Sequence, residues 1–183
     1  MNNENNAARS TIIDVFGTEN DQIFAGVGLK LTSSKMDASL CVQQILGDSI
    51  LSILSASGEE VRILSSINVN FSTLASLYPH GEADTDALRD WCGELNNQLV
   101  GAAKNQMLAY ECKMMMGIPT LIQGENLASI HSSDAFVSKR HYSCAQGEVI
   151  TYLSILLSPR FKMRDEPDMS LTGIEAGGEL SFF

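Results

Sequence analysis

The chain has 183 residues, with 22 Asp and Glu against 12 Lys and Arg, a formal charge of −10 and a pI near 4.6. That balance excludes nucleic acid or an anionic membrane surface as the natural partner. The length suits one domain, or two small ones, with room for a buried core. The four cysteines (Cys41, Cys92, Cys112 and Cys144) include no Cys-x-x-Cys pair and read as reduced thiols rather than a disulfide or zinc framework. The start, Met1-Asn2-Asn3-Glu4-Asn5-Asn6, lacks a basic segment followed by an apolar one, and no run reaches transmembrane length. A cytoplasmic protein without membrane contact is expected.

Residues 1–6 are polar and read as a disordered start. Residues 7–16 suit a short helix that ends before Gly17. From Gly26 to Phe71 the pattern turns to strands. Val61, Ile63, Ile67, Val69 and Phe71 alternate with Arg62, Ser66, Asn68 and Asn70, the period of two of a half-buried antiparallel strand. Ser57-Gly58-Glu59 separates it from the run Ile50 to Leu54, so the two form a hairpin. Residues 38–46 suit either a strand or a short helix. Thr73 to Tyr78 makes a helical turn closed by Pro79 and Gly81.

A long helix then starts near Asp84 or Thr85, both good N-caps, with Asp86 adding favourable charge to the first turn. It is expected to run to about Lys113, with Gly117 and Pro119 as its stop. Residues 119–130 and 135–158 return to strand character, with Val149, Thr151, Leu153, Ile155 and Leu157 on one side. Residues 159–183, with Pro159, Pro167 and Gly173, Gly177 and Gly178, read as a C-terminal tail or added hairpin. No internal repeat is visible. The order predicts an α+β domain over residues 7–158, a mainly antiparallel sheet covered by helices.

The long helix carries the informative pattern. At roughly 100° per residue, Asp90, Glu94, Asn97 and Gly101 fall within about 60° of one another. Leu88, Trp91, Leu95, Leu99 and Ala102 form an apolar stripe on a different side, which a helix needs to dock on a core. Docking gives no reason for the polar group. Glu94 and Asn97 should therefore both project into solvent, with Trp91 and Leu95 packed on the sheet. Asn96 points about 100° away from Asn97 and lacks the three-residue spacing from Glu94.

The pattern resembles the CheC/CheX/FliY group of chemotaxis phosphatases, above all the single-site CheX type. That family has a helix reading Asp or Ser, three residues, Glu, two residues, Asn, with a Pro about twenty residues downstream. Asp90, Glu94 and Asn97 match in order and spacing. Pro119 lies in Gly117-Ile118-Pro119-Thr120-Leu121-Ile122-Gln123-Gly124, similar to the family's Pro-Thr-hydrophobic-x-Gly segment. The local match spans about residues 86–127.

The resemblance implies the same α+β architecture, a homodimer formed by sheet continuation, and hydrolysis of the phospho-aspartate of a CheY-like response-regulator receiver domain. The receiver supplies Mg²⁺, a Lys and backbone donors, so this chain needs no cofactor of its own. What is missing is a group to orient the attacking water. A side-chain amide both donates and accepts, so Asn97 suits that role, as Gln does in GTPases. Glu94, one turn earlier, pairs with the receiver's Lys, while Asp90 and Pro119 shape the site and Gly101 permits close approach of another chain.

Two other classes compete. A non-catalytic, flagellar-switch-like binding module for a receiver domain would use the same fold without turnover. A metal or thiol enzyme would use His131, Asp134, His141 and Cys144, whose only recognisable spacing is His-x-x-Cys. No Gly-x-Ser-x-Gly elbow is present, and Gly26-Val27-Gly28 is followed by no Gly or Lys at phosphate-loop spacing. Met114-Met115-Met116 reads as a core-capping helix end.

Overall fold

A computed structural model describes residues 3–37, 47–127, 131–132 and 134–172. The elements in chain order are α1 (Asn3–Gly26), β1 (Lys30–Asp37), β2 (Asp48–Ser57), β3 (Val61–Asn70), α2 (Phe71–Leu77), α3 (Thr85–Met107), β4 (Met115–Met116), β5 (Thr120–Glu125), β6 (Phe136–Cys144) and β7 (Gly147–Leu157). Short 3₁₀ turns occupy Leu108–Tyr110 and Met169–Leu171. The segment 38–46, open between strand and helix from sequence, lies outside the described residues.

All strand pairs are antiparallel, in the order β1-β6-β7-β3-β2-β4, with β5 also pairing β2. The fold is thus the α+β arrangement expected. β4 and β5 form one interrupted edge: β4 pairs with Ala56 and Ser57, and β5 pairs with Asp48 to Ile53. Between them, the Gly117 amide donates to the Ser55 carbonyl at 2.8 Å.

Strand alternation makes the core. Ile50, Leu54, Val61, Ile63, Ile67, Val69, Val149, Leu153 and Ile155 share one buried cluster with residues of α1 and α3. α3 packs on β2 and β3, and α1 lies beside it over β1, β6 and β7. The opposite face carries a smaller cluster of Val137, Ile150 and Tyr152. There Asn68 Nδ2 donates to the Leu127 carbonyl at 3.1 Å, and His131 packs on Tyr152 with ring centroids 5.1 Å apart. The connection from β5 to β6 therefore touches this face. That is why β3, expected to be half-buried, is buried on both sides from Ser65 to Val69.

Three expectations are corrected. α1 begins at Asn3, inside the segment read as a disordered start, and passes through Gly17 to Gly26. Gly17 is a packing residue, not a stop. A Cβ there would lie within 2.6 Å of Arg140 Cζ, in the place taken by the guanidinium that pairs with Asp21 at 2.8 Å. α3 ends at Met107, about a turn and a half short of Lys113, and Glu111 adopts a left-handed conformation at φ 59°.

The third correction concerns residues 159–172, which form a docked strap. Phe161 is buried in the core. The Arg164 amide donates to the Tyr110 carbonyl at 3.0 Å and the Asp168 amide to the Ala109 carbonyl at 2.8 Å. The strap thus satisfies carbonyls of the 3₁₀ turn that follows α3, which the turn itself leaves open. Residues 173–183 lie outside the described residues.

Candidate functional site

α3 is held at its start by Asp84, whose carboxylate accepts from the Ala87 amide at 2.8 Å. Its buried side consists of Leu88, Cys92, Gly93, Leu95, Asn96, Leu99, Val100, Ala103 and Met107. This stripe is rotated from the expected one. Ala103 rather than Ala102 is buried, and Trp91 is only half-buried against the core. Trp91 stacks edge-on against Tyr78, centroids 5.5 Å apart, and Tyr78 in turn meets His80 at 5.4 Å. The α2–α3 connection thus reaches Trp91 through Tyr78.

Asp90 and Glu94 are exposed, and Asn97 and Gly101 are half-buried, on the outward side. Glu94 Oε1 accepts from Gln98 Nε2 at 3.1 Å, and Glu94 Oε2 from Asn97 Nδ2 at 3.5 Å. The second contact is at the limit of a hydrogen bond, so the Asn97 amide can turn to another partner at little cost.

The outward side of α3 is a ridge with two unlike flanks. On one side runs the β4–β5 edge. A Cβ added to Gly93 would meet Leu121 Cδ1 at 3.5 Å and Pro119 Cβ at 3.8 Å, and one added to Gly101 would meet Met116 Sδ at 3.8 Å. Gly101 therefore faces this chain's own β4, and Pro119 rests against the turn that carries Glu94. Met115 and Ile118 on this edge are 80% and 87% exposed. On the other side is an open cleft of about 970 Å³, walled by Ile23 of α1 and Val27 just after it, Tyr78 and His80, and Trp91 and Glu94 of α3.

Sequence reasoning did not find the cleft, the exposed edge or the role of Asn96. Asn96 is fully buried, and its Oδ1 accepts from Ser65 Oγ at 2.8 Å. The one signal for it was the presence of Ser52 and Ser65 at inward positions of otherwise apolar strands.

The candidates around residues 131–144 do not meet. His141 bonds Glu148 at 2.6 Å, while Cys144, of opposite strand parity, packs against the main core. His131 is buried against Tyr152, and burial lowers its pKa. Among the described residues no three His, Cys, Asp or Glu side chains group so as to hold a metal ion. Cys92 and Cys112 are buried free thiols; burial pushes them up to about 12 and about 11. Met114 is buried, Met115 exposed and Met116 half-buried, the alternation of an edge strand rather than a helix end.

A family model described as chemotaxis phosphatase CheX matches residues 40–139. The chain belongs to the CheX family. The match contains β2, β3, α2, α3, β4 and β5, hence the whole ridge and its edge. No curated protein matches in sequence. Solved structures share the fold. A CheC-like superfamily protein from Shewanella sp. PV-4 is 18% identical with a TM-score of 0.69, over 85% of this chain and 99% of that one. CheX from Vibrio vulnificus is 13% identical with a TM-score of 0.66, over 80% and 99%. CheX from Borrelia burgdorferi, in a complex with CheY, BeF₃ and Mg²⁺, is 16% identical with a TM-score of 0.59, over 83% and 97%. Among the described residues no helix is long and apolar enough to cross a membrane.

Proposed function

We propose that this chain dephosphorylates the phospho-aspartate of a CheY-like response-regulator receiver domain. The observation that carries the proposal is the placement of Glu94 and Asn97 side by side on the outward ridge of α3, within a chain of the CheX family. The Borrelia burgdorferi neighbour, solved with CheY, supports a receiver as the partner.

The acyl phosphate is reactive already; hydrolysis needs a water held in line with phosphorus. When α3 docks, Asn97 leaves its weak contact with Glu94 and its amide holds that water, accepting one hydrogen bond through Oδ1 or donating one through Nδ2. Positioning of this kind contributes on the order of 10²-fold or more in rate, about 3 kcal/mol of barrier. Glu94 accepts from the receiver's Lys, which fixes the register of the docked helix. The pair gains strength as docking removes water from it. Mg²⁺, held by the receiver's own carboxylates, supplies charge neutralisation at the phosphoryl oxygens. Asp90 extends the acidic rim, and Pro119 braces the turn at Gly93.

The decisive experiment measures phosphate release from a panel of phosphorylated receivers, with chelator and Mg²⁺ added in turn. Release above the receiver's own rate, lost with chelator and restored with Mg²⁺, supports the reading. Met115 and Ile118, exposed beside the ridge, would serve binding equally well without turnover. Receiver binding with no gain in release would therefore replace the phosphatase with a binding module.

A further inference from the structure

We infer that Asn96, which the site pattern does not include, is a positioning residue that sets the rotation of α3 and so the aim of Asn97; the inference rests on the phosphatase reading above. Asn96 has no exposed surface. Its Oδ1 accepts from Ser65 Oγ at 2.8 Å, and its Nδ2 donates to Ser52 Oγ at 3.1 Å and to the Ser52 carbonyl at 3.3 Å. Ser52 and Ser65 sit on β2 and β3 and are themselves buried. The same turn of helix that carries Glu94 and Asn97 outward is therefore tied inward to both strands beneath it.

Stability alone does not call for this arrangement. Ile50, Leu54, Ile63 and Ile67 surround the trio's strands with apolar contacts, as Leu95, Leu99 and Val100 do along the helix. Replacing a satisfied polar group and its partners by apolar side chains of similar shape is commonly near neutral. Apolar packing is non-directional, however, and tolerates small rotations of a helix. Bonds from both ends of one amide to two strands do not, because each has a preferred length and angle. Side-chain tips lie about 5–6 Å from a helix axis, so a rotation of about 10° moves Asn97 by ~1 Å. A displacement of that size can cost ~10²-fold in rate.

The test compares Asn96→Leu, Ser65→Ala and wild type in dephosphorylation of one phosphorylated receiver, with thermal unfolding followed on the same samples. For Asn96→Leu we expect kcat to fall about tenfold or more with KM within about twofold, at a temperature where the variant is fully folded. Ser65→Ala, which removes one bond without adding bulk, should lower kcat by a smaller factor in the same sense, and it decides the matter if Asn96→Leu does not fold. A merely structural role predicts a lower unfolding temperature with unchanged kcat in the folded protein, and that result overturns the inference. An active wild type with unaltered variants sinks the inference alone. A wild type that releases no phosphate from any receiver sinks the phosphatase reading and the inference with it.

Discussion

On the proposed function Asn97 and Glu94, neighbours on α3, serve different partners, and their variants should separate. Asn97→Ala removes the amide proposed to hold the water and leaves the rest of the ridge in place. Its kcat should fall at least ~10²-fold while receiver affinity stays within a few-fold, read by phosphate release and by titration with a phosphorylated-state mimic. Glu94→Ala removes the carboxylate proposed to pair with the receiver's Lys and should weaken both affinity and turnover. Wild-type turnover in Asn97→Ala would remove the amide from the mechanism. Cys92 makes a separate point about the helix's other side. Its thiol, ordinarily near 9.0, is pushed up to about 12 by burial. Above pH 9 the unfolded chain sheds this proton and the folded chain keeps it. Stability is therefore intact below 9 and falls as pH rises toward 12, by up to about 1.4 kcal/mol per pH unit. Cys92→Val should flatten that slope in urea unfolding curves taken from neutral to alkaline pH.

Elements depend on contacts that arrive from far along the chain, and this decides what could be read in advance. β3 was legible because its inward residues alternate, and the start of α3 because Asp84 caps it. Asn97 was separable from Asn96 because spacing from Glu94 fixes which of the two faces outward. The length of α1 was not legible, since Gly17 carries a stop signal that only Arg140, more than a hundred residues away, explains. Nor was the end of α3: residues 108–113 have ordinary helical composition, and the strap at 164–168 takes the Ala109 and Tyr110 carbonyls instead. The cleft beside Trp91 needs α1 and the α2–α3 connection in place, and no periodicity within α3 reveals it. The strap is itself testable. Phe161 is buried, so Phe161→Ala should lower unfolding free energy by about 3 kcal/mol, shifting the urea midpoint with little change in slope.

At the scale of the molecule, charge surrounds the proposed docking ridge. Glu82, Asp84, Asp86, Asp90 and Glu94 are exposed along the approach to α3 and its first turns, against Arg89, which pairs with Asp86 at 3.6 Å. Together with the net charge of −10, this field would attract the proposed partner, a receiver whose docking side carries a Lys. Association with the receiver should therefore slow several-fold as ionic strength rises from about 0.02 to about 0.3 M, while the dissociation rate changes little. Stopped-flow mixing reads both rates. A salt-independent association rate would mean that the apolar flank at Met115 and Ile118, rather than charge, guides the encounter.

The adjacency of Asn96 and Asn97 also bears on how the chain finds its fold. Threading α3 onto the sheet one residue out of step would set Asn97 between Ser52 and Ser65, and the trio would accept it. The same slip would press Arg89 and Lys104 toward the sheet where Leu88 and Ala103 now lie, and would turn Leu99 outward. A cation driven into a core without a partner costs several kcal/mol, so the misthreaded packing is strongly disfavoured. The twin amides thus create a decoy for the folding chain, and the two cations on either side of them dismiss it.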